Sequence, residues 1–332
     1  MHSMPESDAN ELSADLAIIG AGPVGLFAAY YAGFRGLSTI IIDSLPEPGG
    51  QVSALYPEKL IYDVGGFPAI RGQTLVDNLM AQIEPFHPTL LLDHRAEDLA
   101  DQGDAWLIGT HRGVLVDAKA VLITGGIGNF TPRRLPTGGD FEGRGLVYFV
   151  PAPEKLTGLE VLIVGGGDSA FDWAVALEGV AKSVVLVHRR GEFRAHQHTV
   201  DQVLASSVEV RTHTEVTRLI GDGQVEGAEL IDKRTGDRTV IDTQAVVAAL
   251  GFIADLGPLK EWGLELDKRQ IVVNTTMATN LPRVFAAGDI TEYPGKVRLI
   301  AVGFGEAATA VNNAATAIDP SLSLFPGHSS NQ

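Results

Sequence analysis

Two glycine-rich loops, each set between an apolar strand and a helix of small residues, constrain the fold of this chain more than any other feature. The first loop spans Gly20 to Gly25, and the second spans Gly165 to Ala170, 145 positions later. A further apolar strand follows each helix, at Thr39 to Ile42 and at Val184 to Val187. Each stretch is therefore predicted to be a β-α-β repeat with parallel strands.

The spacing within these loops is typical of a site that binds the pyrophosphate of a dinucleotide. The first glycine allows a tight turn, and the second lets the backbone approach the pyrophosphate. The third position, Gly25 or Ala170, must be small so that the helix can pack closely on the strand. One such loop is a weak signal, but two loops in the same context indicate two dinucleotide sites.

The residue that ends the second strand distinguishes the two repeats. Asp43 occupies this position in the first repeat, and His188-Arg189-Arg190 begins at it in the second, each 23 positions after the first glycine of its loop. A carboxylate accepts hydrogen bonds from ribose hydroxyls, whereas the arginines, with Arg194 nearby, suit a 2′-phosphate. The first site is expected to hold FAD or NAD, and the second NADP(H).

A late glycine-containing segment favours FAD in the first site. Val284 to Ala287 is an apolar strand that ends in Gly288-Asp289, and a helix through Asn313 is predicted after the run Gly303 to Glu306. By resemblance to two-dinucleotide flavoproteins, this segment returns to the first domain, where the aspartate binds the ribityl chain. The helix then points its positive end at the flavin pyrimidine.

The sequence contains no cysteine, which excludes disulfides, thiol-bound metals, iron–sulfur clusters and redox-active thiol pairs. Redox chemistry must then reside on a bound cofactor, and no metal is expected. A net charge of -16, from 25 basic and 41 acidic residues, disfavours nucleic acid and membrane surfaces as partners. Residues 1–13 are polar, lack signal-peptide features and are expected to be disordered, which leaves the cytoplasm as the default location.

These motifs together resemble the two-dinucleotide-binding flavoproteins of thioredoxin-reductase build, and within them the thioredoxin-reductase-like ferredoxin–NADP(+) reductases. The resemblance runs from about residue 15 to the C-terminus, and further motifs carry it: Gly49-Gly50-Gln51, Leu55 to Lys59, Ile61 to Val64, Gly66-Phe67-Pro68, Asp172-Trp173, Arg194-Ala195-His196 and the tail His328-Ser329-Ser330.

The resemblance implies an α/β fold with two Rossmann-like dinucleotide-binding domains. An FAD domain is expected from residues 1–127 and 255–332, and an NADPH domain, residues 128–254, is inserted into it. The two crossover strands are expected near Gly125-Gly126 and from Ala249 to Phe252.

The resemblance also implies roles for individual residues. Tyr56 is expected to stack on one face of the isoalloxazine ring and His328, from the tail, on the other. No acid–base catalytic residue is implied. The FAD contacts implied are Gly20, Gly22, Pro23, Gly25, Asp43, Gln51, Tyr56, Ala96, Phe130, Asp289 and Ser330. The NADP(H) contacts implied are Gly165, Gly167, Asp168, Ser169, His188, Arg189, Arg190 and Arg194.

Thioredoxin reductases carry a redox disulfide just before the second glycine loop, but Leu146 to Pro153 contains no thiol. The expected activity is therefore hydride transfer between NADPH and FAD, with single-electron transfer to ferredoxin or flavodoxin. One FAD per subunit and a homodimer are implied. Lys59, Arg133, Arg134 and Lys296 are candidates for a basic docking patch on this acidic protein.

Two alternatives remain open. The same scaffold could serve as a two-electron NAD(P)H oxidase or quinone reductase. A non-catalytic module that senses FAD and NADP(H) is the alternative from another class.

Overall fold

The computed structural model describes residues 11–126, 129–150 and 152–327, and of residues 129–131 and 252–254 it describes the backbone only. The chain divides into two compact units. Unit 1 comprises Met1–Asn129 and Ala254–Gln332, and unit 2 comprises Phe130–Ile253.

The described residues form 22 strands and six α-helices. The strands, in chain order, are β1 (Glu11–Ile19), β2 (Thr39–Ile42), β3 (Leu60–Ile61), β4 (Ile70–Arg71), β5 (Thr89–Leu91), β6 (Ala96–Asp101), β7 (Trp106–Thr110), β8 (Leu115–Ile123), β9 (Asn129–Pro132), β10 (Leu146–Val147), β11 (Glu160–Val164), β12 (Ser183–His188), β13 (Glu209–Thr212), β14 (Thr214–Ile220), β15 (Gly227–Asp232), β16 (Arg238–Asp242), β17 (Ala245–Ala248), β18 (Phe252–Asp255), β19 (Leu266–Asp267), β20 (Gln270–Val272), β21 (Val284–Ala286) and β22 (Thr291–Glu292). The helices are α1 (Pro23–Phe34), α2 (Gln51–Leu55), α3 (Gly72–Ile83), α4 (Asp168–Glu178), α5 (Gln197–Leu204) and α6 (Ile300–Ile318).

Unit 1 is built on a seven-stranded sheet in the order β5-β2-β1-β8-β7-β6, and β21 also pairs with β8. Strands β1, β2, β5, β8 and β21 are parallel, while β6 and β7 are antiparallel additions. The central strands are apolar on both faces, which is typical of a parallel sheet covered on both sides. Helices α1, α3 and α6 pack together in this unit.

Strand β1 begins earlier than the sequence predicts. Its first residue is Glu11, and Glu11 to Ser13 pair with Leu115 to Asp117 of β8. The expectation that residues 11–13 are disordered was therefore wrong. These polar residues become a strand because β8 extends far enough to pair with them, whereas residues 1–10 lie outside the described part of the chain.

Helix α6 also begins earlier than predicted. The run from Gly303 to Glu306 lies inside its first turns, because the helix starts at Ile300. A Cβ on Gly303 would lie 2.5 Å from Cγ2 of Val24 in α1, so this glycine permits two helices to approach each other. The sequence shows the glycine but not the neighbour that requires it.

Unit 2 contains a five-stranded parallel sheet in the order β10-β17-β11-β12-β13. Helices α4 and α5 contact each other, and the fully buried Phe171 of α4 lies in the core of this unit. An antiparallel sheet, β14-β15-β16, completes the unit.

The strands at the two crossings between the units lie a few residues beyond the predicted positions. They are β9 and β18, which pair with each other. Strand β9 follows the glycine pair at 125–126, and β18 begins at Phe252, the last residue of the run predicted from 249 to 252. Glycine has low strand propensity, and the strands form where β-branched and aromatic residues resume. In the described part of the chain, no helix combines the length and the apolar character that crossing a membrane requires.

Candidate functional site

The first glycine loop joins β1 to α1 in unit 1. Gly20 has φ +114°, and a Cβ there would lie 2.8 Å from the carbonyl oxygen of Thr124. A Cβ on Gly25 would lie 1.9 Å from the carbonyl oxygen of Gly20, so the helix can approach the strand only without a side chain. A Cβ on Gly22, in contrast, would meet no described atom within 4 Å. Gly22 therefore borders open space at the position predicted to face the pyrophosphate.

The N-terminus of α1 faces the same loop. Gly22 is the N-cap residue and Pro23 follows it at the start of the helix. Among the described residues, no side chain caps this helix end, and its first turn carries no acidic residue. Its free N–H groups and positive dipole end are therefore available to an anion.

Asp43 follows β2 and contacts the glycine loop directly. Its Oδ2 accepts a hydrogen bond of 2.5 Å from the N–H of Ala21, and its Oδ1 accepts one of 2.8 Å from the N–H of Leu45. Burial raises the pKa of this carboxyl group, and the two hydrogen bonds oppose that effect. Each carboxylate oxygen keeps a further lone pair, which suits a ribose hydroxyl.

Two other predicted FAD contacts lie around this loop. The N–H of Gly49 donates to the carbonyl of Ala21 at 2.8 Å, which brings Gln51, at the start of α2, to the loop. The N–H of His94 donates to the carbonyl of Asp43 at 2.8 Å, shortly before Ala96 begins β6. The structure therefore brings Gln51 and Ala96 to the neighbourhood of the first loop.

Tyr56 and Asp289 interact electrostatically in unit 1. Tyr56 follows α2, and Asp289 follows β21 and Gly288. Burial, together with the charges of Asp289 and Asp63, raises the pKa of the Tyr56 hydroxyl to about 12. Burial also raises the pKa of Asp289, and the charge of Lys296 opposes that effect. The two residues predicted to contact the flavin thus lie within electrostatic reach of each other.

Lys296 is not a surface residue, so its assignment to a basic docking patch was wrong. Its side chain is 2% exposed and forms a buried ion pair with Glu306 of α6. One signal for this pair is visible in the sequence, because Glu306 is the single charged residue within an apolar helix of small residues. Its partner, ten positions away across a loop, carries no such signal.

Three predicted flavin contacts have side chains outside the described part of the chain. His328 and Ser330 lie outside the described residues. The backbone of Phe130 lies in β9, and its side chain is outside the described set.

The second glycine loop joins β11 to α4 in unit 2. A Cβ on Gly165 would lie 2.4 Å from the carbonyl oxygen of Ala249, and a Cβ on Gly166 would lie 2.3 Å from the His188 ring. Gly167, the N-cap of α4, again borders open space among the described atoms. The two loops therefore share one pattern, with closely packed glycines and an open one at the helix N-terminus.

The segment that follows β12 is tied to this loop. The N–H of Arg194 donates to the carbonyl of Gly166 at 2.7 Å, and the N–H of His196 donates to Oδ1 of Asp168 at 2.8 Å. Asp168 and Ser169, the first residues of α4, are exposed beside it. These bonds bring the predicted NADP(H) contacts of the segment and of the loop together.

Three positively charged side chains surround His188 at the end of β12. Arg189, Arg190 and Arg194 are exposed, and none forms an ion pair with a carboxylate that the structure describes. Burial lowers the pKa of His188, and the charges of the three arginines lower it further. The cluster is therefore an electropositive site at the position predicted for a 2′-phosphate.

A separate apolar groove of about 550 Å³ lies in unit 1 and is not lined by the predicted cofactor contacts. It is bordered by α1, α3, the start of α6 and the segment from Val64 to Phe67. Within the described ranges, no cluster of three or more metal-ligating side chains occurs.

Comparison with known proteins agrees with this arrangement. A family model described as pyridine nucleotide-disulphide oxidoreductase matches residues 14–315. A protein named ferredoxin–NADP reductase from Salinispora arenicola is 65% identical over 316 residues, which cover 95% of this chain and 98% of the relative. Its namesake from Frankia casuarinae is 62% identical over 315 residues, with the same two shares of coverage.

Solved structures show the same fold. The thioredoxin reductase of T. acidophilum superposes with a TM-score of 0.80 at 27% identity, over 92% of this chain and 98% of that one. The thioredoxin reductase of Lactococcus lactis gives a TM-score of 0.79 at 24% identity, over 92% and 99%. The predicted α/β fold with two Rossmann-like domains is confirmed.

Proposed function

We propose that this chain, which belongs to the pyridine nucleotide-disulphide oxidoreductase family, is a flavoenzyme that passes electrons between NADPH and ferredoxin. One observation carries the proposal: the end of the second strand leads to the carboxylate of Asp43 in unit 1, but to His188 and an arginine cluster with no described ion pair in unit 2. The two sites therefore favour different dinucleotides. The names of relatives more than 60% identical support ferredoxin as the acceptor.

The residues of unit 1 fit FAD. The open space beside Gly22 and the uncapped N-terminus of α1 suit a pyrophosphate, and Asp43 suits the adenosine ribose. Gln51 and Asp289 would hold the flavin end, and the neutral ring of Tyr56 would lie against the isoalloxazine.

The residues of unit 2 fit NADPH. Gly167 offers open space at the start of α4, and Arg189, Arg190 and Arg194 suit the 2′-phosphate because guanidinium groups form charge-assisted hydrogen bonds with phosphate. His188 adds a further donor when it is protonated.

Bound FAD supplies the chemistry of accepting two electrons as a hydride and releasing them singly. The chain itself has no cysteine, so no protein disulfide can accept these electrons. Thioredoxin reductases carry their redox disulfide in the segment before the second loop. In this chain that segment contains Tyr148, whose hydroxyl donates a hydrogen bond of 2.6 Å to Glu142. An external acceptor is therefore required, and we propose that it is ferredoxin or flavodoxin.

The decisive experiment is anaerobic reduction of the purified protein by NADPH, followed by mixing with ferredoxin. We expect the flavin colour to bleach and then return as ferredoxin is reduced. Reoxidation by quinone or oxygen but not by ferredoxin or flavodoxin would favour an oxidase or quinone reductase. A bound flavin that NADPH does not bleach would favour a sensor.

Docking of an acidic carrier is expected to depend on exposed basic residues. Lys59, Arg133 and Arg134 are exposed, although Arg134 lies 3.7 Å from Glu142. If these residues attract the carrier, the rate of ferredoxin reduction falls as ionic strength rises. A rate independent of salt would contradict electrostatic docking.

We further infer a homodimer with one FAD per subunit, located in the cytoplasm. The family resemblance supports the dimer. Sedimentation at micromolar concentration tests the dimer, because a species of one chain mass would contradict it.

A further inference from the structure

A buried ion pair holds the turn that carries Asp289. Oε2 of Glu306 accepts a hydrogen bond of 2.7 Å from the N–H of Gly288, and Nζ of Lys296 donates one of 2.9 Å to the carbonyl of Gly288. Nζ of Lys296 and Oε1 of Glu306 are 2.5 Å apart. The two charged side chains therefore bind the two peptide groups that flank Gly288.

This pair is well satisfied and almost completely buried. The side chains of Lys296 and Glu306 are 2% and 5% exposed. The Tyr293 hydroxyl donates to Oε1 of Glu306 at 2.5 Å, and Lys296 lies 5.4 Å from the centre of the Tyr293 ring. Removing two charges from water is costly, and a protein in which apolar side chains of similar volume replace a buried ion pair is often at least as stable. Stability alone therefore does not account for the pair.

The turn that the pair holds lies where three elements meet. Gly288 has φ +85°, and its Cα lies 3.5 Å from the Cβ position of Gly303 in α6. A Cβ on Gly288 would lie 3.3 Å from the side chain of Val24, in the first turn of α1. The turn is thus fixed against the helix that starts at the first glycine loop.

Asp289, the next residue, lies within electrostatic reach of both Lys296 and Glu306. Burial raises the pKa of Asp289, the charges of Lys296 and Arg298 lower it, and the charge of Glu306 raises it. Tyr56, at the end of α2, lies within electrostatic reach of Asp289. The pair therefore supplies one charge of each sign to a half-buried carboxylate. Removing either partner leaves Asp289 with an unbalanced environment.

We propose that Lys296 and Glu306 are positioning residues for FAD, which hold the turn at Gly288 and so orient the Asp289 carboxylate, with one charge of each sign near it, where it meets the flavin linker. The inference rests on the proposed function, because it requires FAD in unit 1. Neither residue is proposed to contact the flavin itself.

The charges predict opposite effects of two substitutions. Lys296→Met removes the positive partner, which favours protonated Asp289, so FAD affinity is lost at a higher pH than in the wild type. Glu306→Gln removes the negative partner, which favours ionised Asp289, so affinity persists to a lower pH. A purely structural role for the pair would weaken binding without moving the pH midpoint in opposite directions.

The test is FAD titration of the full-length apoprotein, monitored by flavin fluorescence, from pH 4.5 to pH 8. Burial raises the pKa of Asp289, so this range lies above the ordinary aspartate value of 3.8, in the direction of the shift. We expect each single variant to bind FAD about tenfold more weakly at pH 7, a loss of about one charge-assisted hydrogen bond. The double variant Lys296→Met/Glu306→Gln is expected to return towards the wild-type pH midpoint. The matched control is Lys182→Met, which breaks the exposed Lys182–Glu160 pair of unit 2 and leaves FAD binding unchanged.

A second variant keeps the test decisive if the single variants fail to fold by circular dichroism. Tyr293→Phe removes one hydrogen bond from Glu306 without changing any charge, and we expect weaker FAD binding at an unchanged pH midpoint. Unchanged affinity in Tyr293→Phe, or unmoved midpoints in both folded charge variants, would overturn the inference. Failure of the wild-type protein to bind FAD would instead overturn the proposed function.

Discussion

The backbone N–H of Arg194 and the carbonyl of Gly166 form a hydrogen bond of 2.7 Å. This bond folds the arginine segment back onto the second glycine loop. A second bond, from the N–H of His196 to Asp168, ties the same segment to the start of α4. The groups suited to a 2′-phosphate and those suited to a pyrophosphate are therefore held together before any nucleotide binds.

This arrangement predicts how the protein distinguishes NADPH from NADH. Replacing both Arg189 and Arg190 with alanine should raise KM for NADPH by tenfold or more, because each charge-assisted hydrogen bond contributes about 1.5–3 kcal/mol. KM for NADH should change little, since NADH has no 2′-phosphate. Steady-state kinetics with both nucleotides measure the difference.

The matched control for this variant is Arg211→Ala in β13 of the same unit. Arg211 is paired with Glu209 at 2.7 Å, so its removal should leave both KM values unchanged. Equal losses with NADPH and NADH in the double-arginine variant would show that these arginines do not read the 2′-phosphate.

The same cluster predicts a proton linked to NADP(H) binding. Burial and three positive charges lower the pKa of His188 in the protein without nucleotide. A bound 2′-phosphate would offset those charges and raise the pKa, so binding favours proton uptake by His188. Calorimetry in buffers of different ionisation enthalpy, near pH 6.5, should show that the wild type takes up more protons than His188→Asn. Equal proton uptake by the two proteins would contradict this linkage.

The sequence predicts the two β-α-β repeats well because their signals are local. An apolar run, a glycine loop and a second apolar run at fixed spacing need no knowledge of distant residues, and Asp43 and His188 were found by that spacing alone. Strand β2 has its predicted bounds, from Thr39 to Ile42.

Features that depend on partners distant in sequence were not predictable in the same way. Glu11 to Ser13 are polar and form a strand only because β8 pairs with them. Lys296 resembles a surface lysine until the fold places Glu306 beside it. In both cases the deciding interaction is tertiary, and hydrophobic periodicity carries no signal for it.

Tyr56 predicts a loss of stability at high pH. Its pKa in the folded protein is about 12, above the ordinary value of 10, so the folded state binds its proton more tightly than the unfolded state. The resulting stability is fully present below pH 10 and is lost as the pH rises towards 12. Denaturant unfolding across this range should show a smaller loss for Tyr56→Phe than for the wild type. Coincident curves for the two proteins would contradict the raised pKa.

The last prediction separates the ligand-facing glycine of the first loop from the one that packs. Gly25→Ala would place a Cβ 1.9 Å from the carbonyl oxygen of Gly20, and overpacking of this kind costs about 1–3 kcal/mol. We therefore expect a lower Tm for the apoprotein of this variant. Any loss of FAD binding in it would follow from damage to the fold.

Gly22→Ala should behave in the opposite way. Gly22 has φ −68°, which alanine adopts readily, and its Cβ would meet no described atom within 4 Å. The change at the N-cap should cost no more than about 1 kcal/mol of stability. If the pyrophosphate occupies the open space, the added methyl group collides with it, so FAD affinity should fall at least about tenfold at a nearly unchanged apoprotein Tm. Thermal unfolding and FAD titration of both variants test the contrast, and wild-type affinity in Gly22→Ala would show that the pyrophosphate lies elsewhere.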